Sequence, residues 1–145
     1  MTAAFSWPLQ EALIDHLRSD AALRQYLGRD QIIDAAANEG RPEGAAASAP
    51  KIIFGDDDVS PWFDKTDRGA LHEFTIMIRS GRRGFREVKK IAAAVSDALE
   101  DPELALERGQ LVRLQFLDGR FTRSDEDDQR QAELRYRAIV EDTSH

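Results

Sequence analysis

Residues 70–101 are the stretch that decides the fold, and they read ALHEFTIMIRS, then GRRG, then FREVKKIAAAVSDALED. The first part alternates between two sets of residues, the period of a strand with one buried face, and the mostly apolar set is His72, Phe74, Ile76 and Ile78. In the last part apolar residues recur at three- and four-residue steps on one helical stripe, and we expect the most buried to be Phe85, Val88, Ile91 and Val95. The stretch therefore predicts a strand, a tight basic link and a long amphipathic helix.

The rest of the chain supplies elements that pair with this strand or pack under this helix. Ser6 is placed to cap a first helix, and Asp20 to cap a second, short one that ends at a left-handed Gly28. Apolar or alternating runs predict strands at 32–33, 51–55, 111–121 with a bend at 118–119, and 132–141. The predicted fold class is α+β: a twisted, mostly antiparallel sheet of four to five strands with two main helices packed on one face.

Length and composition predict one soluble domain spanning residues 1–145. Residues 36–50 are rich in Ala, Gly and Pro and lack periodicity, which predicts a mobile loop within that domain. No apolar run is long enough to cross a bilayer, and the N-terminus lacks the pattern of an export signal, so we expect no membrane partner. The absence of cysteine excludes disulfides, thiolate nucleophiles and iron–sulfur clusters.

The net charge of −7 argues against a nucleic acid as a tightly held ligand, because phosphate binding needs clustered Lys and Arg. An acidic protein can nevertheless surround DNA without gripping it. The charge pattern therefore leaves room for DNA only as non-specific cargo.

Candidate catalytic and metal-binding groups do not form a recognisable pattern. The acidic runs 56–58 and 125–128 lack the spacing of a calcium loop. His16, His72 and His145 lie far apart, without an HExxH pattern, and no GxSxG nucleophile elbow is present. We expect no catalytic residue, no metal and no cofactor, and we predict that the protein is not an enzyme.

A basic patch stands out in this acidic chain, at and around the GRRG link. The link could bind an anion at the start of the helix, but lacks the GxxxxGK[ST] pattern of a nucleotide loop. Segregated opposite charges suit contacts between protein subunits. We therefore predict a subunit interface at five residues: Arg79, Arg82, Arg83, Arg86 and Lys89. Trp62 and Phe63 either fold back on the core or form an exposed anchor for a partner.

The ordered series of motifs resembles the tail-completion, or tail-terminator, proteins of long-tailed phages and gene transfer agents. The resemblance runs from about Leu9 to Glu141 and no single motif is diagnostic. Its motifs are an ALxxxLxxDAALxxxLG start, the strand KIIFGDDD, an H-x-[FV]-T-I strand, a GRxxxREVKxIAxAVxDAL helix and a closing LRYRAIVE strand. The loop at 39–48 departs from the family pattern in being longer and richer in alanine.

The resemblance implies a structural virion protein: a ring of six that caps the tail tube, stops its elongation and docks to the head–tail connector or stopper protein. DNA would pass through the central channel, and the particle would be assembled in the bacterial cytoplasm. On this basis Trp62 and Phe63 are expected to dock to the tail tube or neck. An alternative function of a different class is that of an acidic cytoplasmic adaptor or regulator, which binds another protein through Trp62, Phe63 and the basic patch.

Overall fold

A computed structural model describes residues 3–34, 49–62, 69–81, 84–124 and 128–142. Most of the predicted loop at 36–50, and with it Phe63, Arg82 and Arg83, lies outside these ranges. Five strands form one sheet in the order β1-β2-β3-β5-β4, with bounds β1 Ile32–Asp34, β2 Lys51–Trp62, β3 Gly69–Ser80, β4 Gln110–Arg123 and β5 Arg130–Glu141. Among the paired strands of the described ranges, only β1 and β2 run parallel to each other. The α+β class and the mostly antiparallel sheet are thereby confirmed.

The strand predicted from the opening stretch is the central strand β3. It pairs with β2 on one side and with β5 along its whole length on the other. Its alternation works as predicted: His72, Phe74, Ile76 and Ile78 are all buried on the face that the helices cover. The register aligns them with equally buried residues of β5, so this alternation fixes one layer of the core.

Three α-helices complete the fold: α1 Ser6–Arg18, α2 Ala21–Arg24 and α3 Arg86–Ala98. Val88, Ile91 and Val95 of α3 have no exposed surface, as expected, but Phe85 is only partly buried because it precedes the helix at its margin. Asp20 caps α2 by accepting a bond from the Leu23 N–H at 3.0 Å, as predicted.

Two details of the helix ends were predicted wrongly. Phe5 occupies the cap position of α1, and Ser6 is the first helical residue, because its hydroxyl is used in a tertiary contact described below. Helix α2 ends at Arg24, before the predicted Leu27, and Gly28 has a φ of −83°, which any residue can adopt.

Strand β2 is much longer than the predicted strand at 51–55. Residues 56–62, which lie beyond the predicted strand, continue the pairing with β3 after a register shift between Phe54 and Asp57. Asp57, Val59 and Pro61 pair with Phe74, His72 and Ala70, which places Asp57 on the helix-covered face. These residues have the composition of a loop, but β3 provides backbone hydrogen-bond partners for them.

Strands β4 and β5 form a long antiparallel hairpin at one side of the sheet. The predicted continuation of β4 through Phe121 is confirmed, and the predicted bend near 118–119 corresponds to a register shift between Phe116 and Asp118. β4 lies parallel to β3 with β5 between them, so α3 crosses the sheet as it connects β3 to β4. β4 is therefore an edge strand, and only part of it is covered by a helix.

Candidate assembly surfaces

A buried polar cluster joins α1 to the two central strands. The Ser6 hydroxyl donates to Asp57 Oδ2 at 2.5 Å, and His72 Nδ1 lies 3.2 Å from both carboxylate oxygens of Asp57. His72 is fully buried, and its Nε2 has no hydrogen-bond partner within the described ranges. The cluster places Ser, His and Asp side chains together although they lie far apart in the sequence.

The order of contacts in this cluster does not suit nucleophilic catalysis. In a catalytic triad the histidine contacts the serine and the carboxylate orients the histidine. Here Ser6 and His72 both bind Asp57 instead. The adjacent cavity has a volume of about 10 Å³, room for about one water molecule, and is lined partly by Leu9, Leu13 and Phe54. The geometry indicates a structural cluster that fixes α1 on the sheet.

The pKa of the Asp57 carboxyl is lowered. Partial burial opposes its ionisation, but hydrogen bonds from His72 and Ser6 and a charge interaction with the imidazole outweigh the burial. The ionised carboxylate is therefore the form that this cluster favours.

The remaining candidates for chemistry are dispersed. His16 Nε2 lies 2.8 Å from the Ala98 carbonyl oxygen and so links α1 to the end of α3. The described residues contain no group of three or more His, Cys, Asp or Glu side chains that could share a metal ion. Within the same ranges, no helix has both the length and the apolar character of a membrane span.

The residues of the predicted interface occupy different environments. Arg79 is partly buried at the end of β3, where its Nε donates to Gln131 Oε1 at 3.0 Å. Arg86 is exposed at the start of α3. Lys89 is exposed one turn later, with its Nζ 5.3 Å from the centre of the Phe121 ring. The structure thus separates Arg79 from the two exposed cations on α3, and Arg82 and Arg83 lie outside the described residues.

Trp62 ends β2, opposite Gly69 at the start of β3. Its side chain is 36% exposed and packs closely against Gly69, where an added Cβ would lie 3.1 Å from the indole. Trp62 is therefore held by its neighbour strand and still accessible at the end of the sheet. The second residue of the predicted anchor, Phe63, is not described.

Sequence reasoning missed an exposed apolar and basic surface along β4. Val112, Leu114 and Phe116 alternate along the strand as core residues do, but Val112 is 53% and Phe116 49% exposed because α3 lies over β3 and β5. With the nearby cations they form the β4 edge patch, which we define as Lys89, Val112, Arg113, Phe116, Arg120 and Phe121. No local signal in the sequence distinguishes these residues from core residues, because the strand order decides that β4 is at the edge.

A second surface lies at the opposite edge of the sheet. β1 pairs with β2 only from Ile52 to Phe54, and beyond Phe54 no strand in the described ranges pairs with this edge of β2. Asp56 and Asp58 are exposed there. Trp7, 54% exposed, and Glu11 lie on the α1 stripe that includes Arg18, whose guanidinium binds the Ile32 carbonyl of β1. We call Trp7, Glu11, Asp56 and Asp58 the β2 edge patch.

The sheet face opposite the helices carries a network of paired charges. Arg137 donates to Glu73 Oε1 at 2.8 and 3.1 Å, and Arg135 lies between Glu73 and Asp118, with a distance of 2.8 Å to Asp118 Oδ2. These cross-strand pairs link β3, β5 and β4. Because each charge is already matched within the sheet, this network is a structural feature of the sheet face.

Comparison with known proteins places the chain in a family. The family model for tail completion protein gp17 matches residues 11–141. A chain in the solved virion of a native gene transfer agent particle is 39% identical, with a TM-score of 0.82 over 95% of this chain and 98% of that one.

The bacteriophage SPP1 gp17 protein is 17% identical, with a TM-score of 0.52 over 97% of this chain and 94% of that one, and so shares the fold. No curated protein matches significantly. Because the family model spans most of the chain and the gene transfer agent relative is alike over almost its full length, this protein belongs to the tail completion protein gp17 family.

Proposed function

We propose that this protein is a structural component of a phage or gene transfer agent particle and completes its tail. Six copies form a ring that caps the tail tube, stops its elongation and joins the tail to the head connector. The observation that supports this most strongly is the 39% identity, over 95% of this chain, to a chain of a gene transfer agent virion. Membership of the tail completion family supports the same role.

DNA passes through the centre of the proposed ring as cargo, and its base sequence is not recognised. A net charge of −7 for each copy supports this part of the proposal, because like charge lets a polyanion slide without adhering. His72 and Ser6 both contact Asp57, so His72 is not placed to activate this serine, which supports a structural role over an enzymatic one.

Arg86 and Lys89 contribute to contacts between subunits in this proposal. Both are exposed cations on α3 in a chain with an excess of acids. The proposal extends to Arg82 and Arg83 of the adjacent link because of their charge. Reversing Arg82 and Arg83 to Glu should weaken ring formation, which light scattering of the purified protein would measure. Unchanged assembly would remove the link from the interface.

Trp62 serves as a docking residue for the tail tube or the neck, together with the adjacent Phe63. The support is its position at the end of the sheet, where the packed indole remains 36% exposed. A surface tryptophan held in place by its neighbours loses little conformational entropy when a partner binds it.

Deletion of the gene in a producing strain tests the function. Without the protein we expect tails of irregular length and heads without tails, and expression of the wild-type chain from a plasmid should restore complete particles. Electron microscopy of particles from the three strains gives both the tail-length distribution and the fraction of heads joined to tails. Normal tails joined to heads in the deletion strain would refute the proposal.

A further inference from the structure

We infer that neighbouring copies of this chain bind head to tail, the β4 edge patch of one copy against the β2 edge patch of the next. This inference rests on the ring proposed above and identifies the two surfaces that would form it. Contact between two different surfaces of the same chain is heterologous, and such contacts close into rings when the rotation between copies permits.

The two patches occupy opposite ends of the strand order. β4 is the last strand on one side, and no strand in the described ranges pairs with its outer edge. On the other side β2 continues from Phe54 to Trp62, and no strand among the described residues pairs with its outer edge there. A copy can therefore contact one neighbour through each edge without using either patch twice.

The charges of the two patches are complementary. Lys89, Arg113 and Arg120 on the β4 edge patch are exposed, and none of them forms an ion pair with another described residue. The acid on the same strand, Asp118, is already bound by Arg135.

The β2 edge patch carries Glu11, Asp56 and Asp58, likewise without ion pairs to the described part of the chain. The β4 edge thus carries three cations and the β2 edge three anions, and in each case the charges are distributed over both faces of the sheet. Complementary potentials of this kind direct association and fix its register.

Both patches also expose large apolar surface in the single copy. Of the five large apolar residues exposed in the described ranges, three lie on β4, namely Val112, Phe116 and Phe121, and a fourth is Trp7 of the β2 edge patch. Aromatic side chains ringed by charged ones are the usual composition of a protein interface. These apolar side chains would supply the buried apolar contact area that charged side chains alone do not provide.

Side chains, not a continuous backbone ladder, carry this contact. Pro61 lies in this later part of β2 and has no N–H to donate to an added strand. A proline at an edge discourages extension of a sheet by another chain. The two edges therefore meet through the residues named above, which makes the contact sensitive to their charge.

A charge-swap experiment tests the inference in the producing strain from which the gene has been deleted. One variant carries R113E and R120E, and the other carries D56K and D58K. Each alone places like charges in every contact of the ring, so the fraction of heads joined to tails should fall by about tenfold or more. When both variants are expressed together, alternating copies restore opposite charges in every contact, and a ring of six accommodates three of each. Joined particles should then recover to within about twofold of the wild type.

The controls separate this inference from its alternatives. The variant E103K/E107K carries the same charge change as D56K/D58K at exposed positions of the link between α3 and β4, and it should complete tails normally. Circular dichroism of the purified variants establishes that each is folded.

Normal completion by either charge-reversed variant alone, or no recovery on coexpression of two folded variants, would overturn the edge-to-edge contact. If the wild-type chain still completed tails in the deletion strain, the proposed function would not be affected by either result. If the wild-type chain also failed to complete tails, the proposed function itself would be wrong.

Discussion

The Nδ1 of His72 lies 3.2 Å from each carboxylate oxygen of Asp57, in a contact between β3 and β2 beneath the first turn of α1. Ser6 completes the cluster by donating to the same carboxylate at 2.5 Å. One side chain thus ties a helix to the two central strands. Because His72 is fully buried, its Nδ1 would be left without this partner if Asp57 were replaced by an apolar side chain.

Replacement of Asp57 by Asn should destabilise the fold. The partly buried carboxylate accepts bonds from two side chains, whereas Asn keeps one acceptor oxygen and lacks the charge, a loss that costs roughly 1–3 kcal/mol. Asp58→Asn is the matched control, since Asp58 is exposed and should change the free energy of unfolding by less than about 0.5 kcal/mol. Urea denaturation of both variants measures the difference. Equal stabilities for the two variants would show that the cluster contributes little.

The contribution of Asp57 should depend on pH in a defined direction. Its pKa in the folded protein lies below the usual 3.8, so the folded state favours the ionised form more than the unfolded chain does. This stabilisation is present above the unfolded pKa and is lost as the pH falls through the folded pKa. The difference in unfolding free energy between wild type and Asp57→Asn should therefore shrink between about pH 5 and pH 3. A difference that stays constant or grows over this range would contradict the assignment.

Gly109 should not tolerate a side chain. It has a φ of +85°, and an added Cβ would lie 2.8 Å from both Phe5 and Val140. Gly84 has a similar φ of +75° but no atom within 4 Å of its Cβ position, so Gly84→Ala incurs the backbone strain alone, about 1–2 kcal/mol. Gly109→Ala should cost a further 1–3 kcal/mol or so for overpacking. Thermal unfolding of the two variants compares them directly, and equal losses would mean that the core adjusts around residue 109.

The double variant Val112→Ser/Phe121→Ser should impair tail completion while leaving the fold largely intact. Both side chains are exposed on the β4 edge patch, 53% and 39% respectively, so we expect a loss of only about 1 kcal/mol in stability. Loss of apolar contact area should prevent stable association of copies. Tail lengths in the complemented deletion strain provide the measurement. Tails of normal length would show that these two side chains are not needed between copies.

Trp62→Ser should give a different defect. Trp62 is proposed to dock to the tail tube or neck and lies outside both edge patches, so copies should still associate, but fewer heads should join to tails. The relevant measurements are light scattering of the purified variant and the fraction of joined particles. Full joining by the variant would refute the docking role of Trp62.

The central strand and the long helix could be predicted because their signals are periodic. Phe74, Ile76 and Ile78 alternate in a strand with neighbours on both sides, and Val88, Ile91 and Val95 recur at helical spacing under a helix that lies over the sheet. Local pattern and tertiary environment agree there. For the same reason, the order of helices and strands along the chain could be predicted.

Other features depend on contacts that no local pattern encodes. Residues 56–62 have the composition of a connection, yet β3 provides a ladder for them. Phe116 alternates like a core residue, but it lies on an edge strand that α3 does not cover. The cap predicted at Ser6 is replaced by a bond to Asp57, 51 residues further along the chain. The two edge patches follow from strand order alone, which the sequence does not specify.

Localisation of the protein in finished particles tests the central claim most directly. A C-terminal affinity tag on the complementing chain can be labelled with gold on purified particles and viewed by electron microscopy. The tail completion role predicts label at the junction between tail and head, and nowhere along the tube. Label distributed along the tail, label on the head surface, or particles without any of the tagged protein would contradict it.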